Sequence, residues 1–306
     1  MEASTKPGFI RATFTGTGFQ LFSIQLINVL LCIVTLGLYY PWAKARELSF
    51  YYQETTFMGE QFTFHGTGRE MFIGFLKALA VVVVLAAMVA LDQEVGTIVA
   101  YVCVLALTPI VVHGALSYRM SHTSWKGIYF GYRGEIGKMM GLYLKGLGLT
   151  MVTFGIYSAW FLMDWNRYIM GNLRVGSAKF GFDGKGMDYL RIGLGGYLLT
   201  LCTFGIYGFW WFKNLFNYMT DQTYIEVDGN KYYFQGDATA GKVFELGFVN
   251  ALLILFTLGL GIPWAMVRTI RFNLQNTLLH SEFDPSGIEQ TEPDFKDATG
   301  EMLLGL

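Results

Sequence analysis

Charge is what this sequence has least of. Asp, Glu, Lys and Arg make up 15% of its 306 residues while hydrophobic residues make up 53%, a balance that excludes an ordinary soluble domain and a charged disordered chain. The formal net charge of −1 gives no electrostatic reason to expect nucleic acid or an acidic substrate as a partner. Cysteine is scarce as well. Cys32, Cys103 and Cys202 each fall inside an apolar run, where a thiol acts as a small hydrophobe, so no disulfide framework is expected. The four histidines, His65, His113, His122 and His280, are scattered with no His-Glu-x-x-His spacing, and there is no phosphate-binding loop and no serine elbow. These absences predict no catalytic site, no metal and no cofactor. No small-residue cleavage site follows the first apolar run, so that run reads as a retained helix and not a removable signal.

What is present is apolar and periodic. Two stretches, Met71 to Leu91 and Thr97 to Leu116, are each about long enough to cross roughly 30 Å of hydrocarbon. An aromatic-x-Gly step recurs at Phe14-Thr15-Gly16, Phe64-His65-Gly66, Tyr132-Arg133-Gly134, Phe182-Asp183-Gly184 and Phe234-Gln235-Gly236. A second signature closes four apolar runs: Thr-[Leu/Phe]-Gly-[Leu/Ile], with Trp four residues on. It places Gly37 with Trp42, Gly155 with Trp160, Gly205 with Trp210 and Gly259 with Trp264. A repeat of this period means one supersecondary unit used five times.

The repeat predicts an all-α polytopic membrane protein of five helical-hairpin units with small β-hairpins on the cytoplasmic face. The expected segments are an N-terminal piece over 1–13, units over 14–63, 64–131, 132–181, 182–233 and 234–280, and an acidic disordered tail over 281–306. Unit 2 holds the two long spans. Strand pairs such as Phe62/Phe64, Phe180/Phe182 and Tyr232/Phe234 alternate with period two, and Asp228-Gly229 is a hairpin turn. None of the 22 Lys and Arg residues lies in the five helix-to-helix turns, while the β segments carry Arg69, Lys126, Arg133, Arg174, Lys179, Lys185, Lys231 and Lys242. The positive-inside rule then puts the β face and both termini in the cytoplasm. A rival arrangement of six alternating spans would scatter the basic residues over both faces.

Polar residues shortly after each turn are the candidates for chemistry. Arg46, Asp164, Asn214 and Arg268 share a position on the second helix of their units, with Ser49, Arg167, Asn217 and Arg271 one turn later. Ionisable groups at membrane depth mark ion or substrate paths when they face a polar interior, and Asp164 can pair with Arg167 at i, i+3. The bland alternative is snorkelling to the cytoplasmic surface. The steps Gly16-Thr17-Gly18, Gly66-Thr67-Gly68 and Gly184-Lys185-Gly186 precede helices, where backbone N–H groups could meet lipid phosphate or the glycines could simply allow a tight turn. The turn glycines Gly37, Gly155, Gly205 and Gly259 read as positions needing positive φ or close helix approach.

Phe14-Thr-Gly-Thr-Gly18, Thr35-Leu-Gly-Leu-Tyr-Tyr-Pro-Trp42 and Gly59-Glu-Gln-Phe-Thr-Phe-His-Gly-Thr-Gly68 together resemble the YjgN family of bacterial inner-membrane proteins, a domain of unknown function. The resemblance is strong over residues 13–70 and looser later. It implies a multi-pass location in the inner membrane and a membrane metallopeptidase as a partner; it implies no chemistry. Two functions follow as expectations. One is a transporter or channel using Arg46, Asp164, Arg167, Asn214, Arg268 and Arg271. The other is a non-enzymatic scaffold or regulator of another membrane protein or of lipid.

Overall fold

The computed structural model describes residues 8–291 and contains ten α-helices and eleven β-strands among them. The chain starts with β1 (Phe9–Ile10) and β2 (Thr13–Phe14), then alternates helix pairs with strand pairs. The helix pairs are α1 (Gly18–Val34) and α2 (Tyr40–Gln53), α3 (Gly68–Leu91) and α4 (Gln93–Ser121), α5 (Ile136–Val152) and α6 (Ser158–Asn172), α7 (Gly186–Cys202) and α8 (Gly208–Asp221), and α9 (Ala240–Phe256) and α10 (Ile262–Gln275). Between them lie β3 (Thr55–Phe57) and β4 (Glu60–Phe64), β5 (Thr123–Trp125) and β6 (Ile128–Tyr132), β7 (Leu173–Val175) and β8 (Ala178–Phe182), and β9 (Thr223–Val227) and β10 (Asn230–Gly236). The last strand is β11 (Thr277–His280).

The strands are short, but they do not stay separate. All eleven join one antiparallel sheet in the order β1-β11-β10-β9-β8-β7-β6-β5-β4-β3-β2. Its two ends are a single piece of chain, because β1 and β2 are separated only by Arg11 and Ala12. Ile10 pairs with Leu279 and Thr13 with Thr56, so one N-terminal segment bridges the last strand and the first hairpin and closes the sheet on itself. The expectation of an all-α chain is corrected accordingly. Three tight turns, Met58-Gly59, Lys126-Gly127 and Asp228-Gly229, have both central residues at positive φ, the type I′ pattern that suits a right-handed strand twist.

The helices form a matching ring. Their main contacts run between neighbours in chain order, and α10 packs against α1 to complete the circuit. One sheet holds the hairpin turns at one end, so all five helix-to-helix tips lie at the other. Six alternating spans are incompatible with this connection. Length separates the units: α3 and α4, at 24 and 29 residues, are the two helices among the described residues long and apolar enough to cross a membrane, whereas α1, α5, α7 and α9 have 17 residues each, about 25 Å.

Three of the five joints between units rest on an aromatic residue meeting a missing side chain. Trp42 lies over Gly68, Trp160 over Gly186 and Trp264 over Gly18; a Cβ at these glycines would come within 2.3–2.4 Å of the indole. The Trp264 contact is the one that seals the ring. Within a unit, the helix pair exchanges bulk at a fixed place. Asn28 donates to the Ala43 carbonyl and Asn250 to the Ala265 carbonyl, while in units 3 and 4 Gly146 and Gly196 make room for Phe161 and Trp211. A small residue on one helix is matched by a large one on the other, as close packing requires.

Two sequence expectations shift in register or extent. The N–H groups of Thr15, His65, Arg133, Asp183 and Asp237 all donate to a carbonyl at the end of the unit's second helix: Glu54, His122, Asn172, Gln222 and Asn276. The fifth step is therefore Gly236-Asp237-Ala238, two residues beyond Phe234-Gln235-Gly236, because the β9–β10 hairpin is longer than the others. Residues 281–291 of the expected disordered tail pack against the sheet. Phe283 and Ile288 are buried with Ala178, Ile225, Val227 and Leu279; the Ser177 N–H donates to the Glu289 carbonyl, and the Glu289 N–H donates to the Ser177 hydroxyl. Residues 292–306 of that tail lie outside the described residues, as do residues 1–7.

Candidate functional site

The polar residues of the second helices act mainly at the joints. Arg167 donates to Asp164 at 2.7 Å and to the Gly184 carbonyl of the next unit at 2.7 Å. Arg271, at the same repeat position, donates to the carbonyls of Phe14 at 3.3 Å and Gly16 at 2.7 Å, across the seam of the ring. In unit 4 the same place holds Asn217, which exchanges bonds with the carbonyl and N–H of Ala238 at 3.1 and 3.0 Å. Each therefore satisfies the strand-to-helix turn that follows, where a backbone carbonyl is otherwise short of a partner. One residue further on, Tyr168 and Tyr218 place their hydroxyls against both the N–H and the carbonyl of Glu135 and Lys185, the residues that start α5 and α7 without a side-chain cap. Units 1 and 5 have Phe50 and Phe272 there, and Thr17 and Thr239 cap the helices instead.

The remaining expected site residues are not gathered together. Arg268 bonds Asn250 at 3.2 Å and pairs with Glu245 at 3.5 Å, both on its own unit's α9. Arg46 is exposed on α2 and Asn214 is half-buried on α8. The Asp164–Arg167 pair does form, and with Lys145, Tyr157, Phe161 and Tyr168 it lines a cleft of about 520 Å³ between α5 and α6. Both partners of the pair are more than two-fifths exposed, so it is a surface pair, worth about 0–1 kcal/mol. The Gly-x-Gly steps serve packing: a Cβ on Gly66 or Gly184 would strike the ring of Phe64 or Phe182, and the second glycines lie under the tryptophans.

The structure also gathers residues that looked scattered. At the base of the long hairpin, Tyr118 donates to Glu70 at 3.1 Å, and buried His122 lies 3.4 Å from the same carboxylate. His65 shares a hydrogen bond of 2.8 Å with Ser124 on the adjoining strand. Burial holds the His122 imidazole below its usual value of 6.5, with the bond to the Tyr118 carbonyl and the Glu70 charge opposing that shift. The sequence signal was the polar position that ends each second helix, which unit 2 alone fills with histidine. No group of three or more His, Cys, Asp or Glu that could hold a metal ion occurs among the described residues.

The tips are built on a common plan in four units and differently in unit 2. Gly37, Gly155, Gly205 and Gly259 have φ of 88–92°, and their N–H groups reach back to Cys32, Thr150, Thr200 and Ile254 in a Schellman-type stop. The residue before each glycine is also left-handed, at φ 49–52°, and is Leu36, Phe154, Phe204 or Leu258. These four side chains are 93–98% exposed. The tip of unit 2 is Asp92, which accepts from the N–H groups of Glu94 and Val95 to start α4.

Comparison with known proteins places this architecture. The family described as "Bacterial protein of unknown function (DUF898)" matches residues 10–195 and 211–306. The chain is 29% identical over 120 residues to "Inner membrane protein YjgN" of Salmonella typhimurium, covering 39% of this chain and 30% of that protein. It is 30% identical over 119 residues to the protein of the same name in Escherichia coli O157:H7, with the same coverage. The matched stretch thus spans under a third of these relatives' length. No solved structure matches.

Proposed function

The chain belongs to the DUF898 family, and from that premise we propose that it is a non-enzymatic scaffold of the bacterial inner membrane, anchored through α3 and α4, that organises lipid or another membrane protein and conducts no solute. The observation that carries this reading is the use of the second-helix polar residues. Arg167, Asn217 and Arg271 are committed to backbone groups of the neighbouring unit, so they hold the ring together, and among the described residues the six expected site residues do not converge on one site. The sheet end supports it further, since the interior there is filled by Ile225, Val227, Leu279, Phe283 and Ile288. Location in the inner membrane is supported by the names of the relatives and by the two long apolar helices. Basic residues at the sheet end of the units, with none in the helix-to-helix turns, support a cytoplasmic sheet and cytoplasmic termini.

The test is a flux screen of purified protein in proteoliposomes with ions and small solutes, run beside thermal unfolding. The reading expects no flux above empty vesicles, and a lowered unfolding midpoint for Arg271→Ala. Reproducible flux that Asp164→Ala abolishes without loss of stability would overturn it in favour of transport.

A further inference from the structure

We infer that the four short hairpins are re-entrant: they end among the acyl chains of one phospholipid leaflet, while the hairpin of α3 and α4 alone crosses to the far side. The inference rests on the membrane location proposed above and adds the depth of every unit.

Three independent features meet on it. The first is the chemistry of the tips. A left-handed residue other than glycine costs roughly 1–2 kcal/mol, and a side chain that is almost wholly exposed recovers nothing from the protein. All four short tips nevertheless carry Leu or Phe there, at 93–98% exposure, with Leu38, Ile156, Ile206 and Leu260 exposed beside them. A bulky apolar group kept at a position that favours glycine is accounted for when the surroundings are hydrocarbon. The tip of unit 2 is Asp92-Gln93-Glu94, suited to water.

The second feature is where charge stops along the short helices. Lys44, Asp164, Lys213 and Arg268 stand early in α2, α6, α8 and α10, and Lys145, Arg191 and Glu245 are the last charges of α5, α7 and α9. At 1.5 Å per residue, the uncharged part of these seven helices beyond their charges is about 6–16 Å, on the order of the half-thickness of a core of about 30 Å; α1 carries no charge, and the depth of its unit is set by Lys44 of α2. In unit 2, Lys77 is the last charge before about 21 Å of apolar α3, and α4 has about 36 Å without Asp, Glu, Lys or Arg between Glu94 and Arg119. With Lys77 snorkelling toward the near surface, those lengths reach the opposite side.

The third feature is the closed sheet, which fixes all five hairpins to one base, so their relative depths follow from their lengths. The short helix pairs also keep backbone polar groups satisfied to their ends through the Schellman bonds, a requirement for any tip lying in hydrocarbon.

The experiment uses the full chain with Cys32, Cys103 and Cys202 replaced by Ala, carrying one cysteine at position 154, 204, 94 or 229. It is reconstituted in phosphatidylethanolamine and phosphatidylglycerol vesicles. A bimane label at 154 and at 204 should be quenched at least twofold more by lipid with a nitroxide deep in the acyl chain than by lipid with a headgroup nitroxide. Unlabelled, these two sites should resist an impermeant maleimide from both sides, while 94 and 229 react from opposite sides. Reaction of 154 and 204 from the side of 94 would overturn re-entry in favour of five full crossings. Their reaction from the side of 229 would overturn it in favour of hairpins outside the bilayer. If 94 and 229 react from the same side, the membrane anchor itself fails, which the flux screen does not test.

Discussion

Unit 2 and the four other units share a base and differ at the tip. All five begin with a strand-to-helix turn held by the same N–H bond to the end of the second helix, from Thr15 to Glu54 through Asp237 to Asn276. Beyond that base, unit 2 runs on for 24 and 29 residues and finishes on a capping aspartate; the others stop after 17 and 14 or 15 residues and finish on a strained, exposed Leu or Phe. The difference teaches that the repeat conserves its joints and varies its reach. A solute path would need the polar groups to converge between units. Here Arg167, Asn217 and Arg271 are spread over three separate joints.

The largest expected effect separates the two kinds of tip. Phe204→Asp should cost about 2.5–3.5 kcal/mol in a lipid nanodisc, the insertion penalty of a carboxylate at hydrocarbon depth, while Glu94→Asp should be neutral. Thermal unfolding in nanodiscs measures both; an unchanged midpoint for Phe204→Asp would place that tip in water.

A joint should matter next. Arg271→Ala leaves the Gly16 carbonyl without its charged donor and should destabilise the ring by about 1.5–3 kcal/mol, against less than about 0.5 kcal/mol for exposed Arg46→Ala. Equal effects in a denaturation series would remove the distinction between joint residues and surface residues.

The sign of a glycine substitution should then reverse between the units. At Phe204, where φ is 49°, Gly should be more stable than Ala by about 1 kcal/mol; at Met88, inside α3, Gly should be less stable than Ala by about the same amount. Comparing the four variants in one detergent cancels most of the cost of losing the original side chain.

The smallest effect concerns the cluster found only in unit 2. Because burial lowers the His122 pKa in the folded protein, the unfolded chain takes up its proton first as the pH falls. The contribution is fully present above pH 6.5 and is lost as the pH drops from there through the folded value. A pH series of unfolding midpoints should show this loss, and His122→Gln should flatten it.

Much of the local structure at base and tip was legible in the sequence. The turn glycines at positive φ, the Asp228-Gly229 hairpin and the helix-strand order all follow from local chemistry acting over a few residues. Closure was not legible, because the pairing of Ile10 with Leu279 joins the two ends of the chain and no local pattern encodes it. The role of Arg167 was half legible. Its i, i+3 partner Asp164 shows in the sequence, but its bond to the Gly184 carbonyl depends on how one unit leans on the next. The register of unit 5 did have a signal: Trp210 and Trp264 are two residues further apart than Phe182 and Phe234, and that excess is the shift the structure shows. Histidine at position 122 was legible as the polar residue ending its second helix, but its approach to the Glu70 carboxylate depends on how α4 packs on α3.

Depth is the quantity on which the contrast between units stands, and electron paramagnetic resonance reads it directly. Nitroxide side chains placed singly at positions 94 and 204 of the full chain in lipid vesicles are relaxed by oxygen, which concentrates in hydrocarbon, and by a water-soluble nickel chelate. The account predicts that position 204 responds mainly to oxygen and position 94 mainly to nickel. Oxygen-dominated relaxation at both positions, or nickel-dominated relaxation at both, would contradict it.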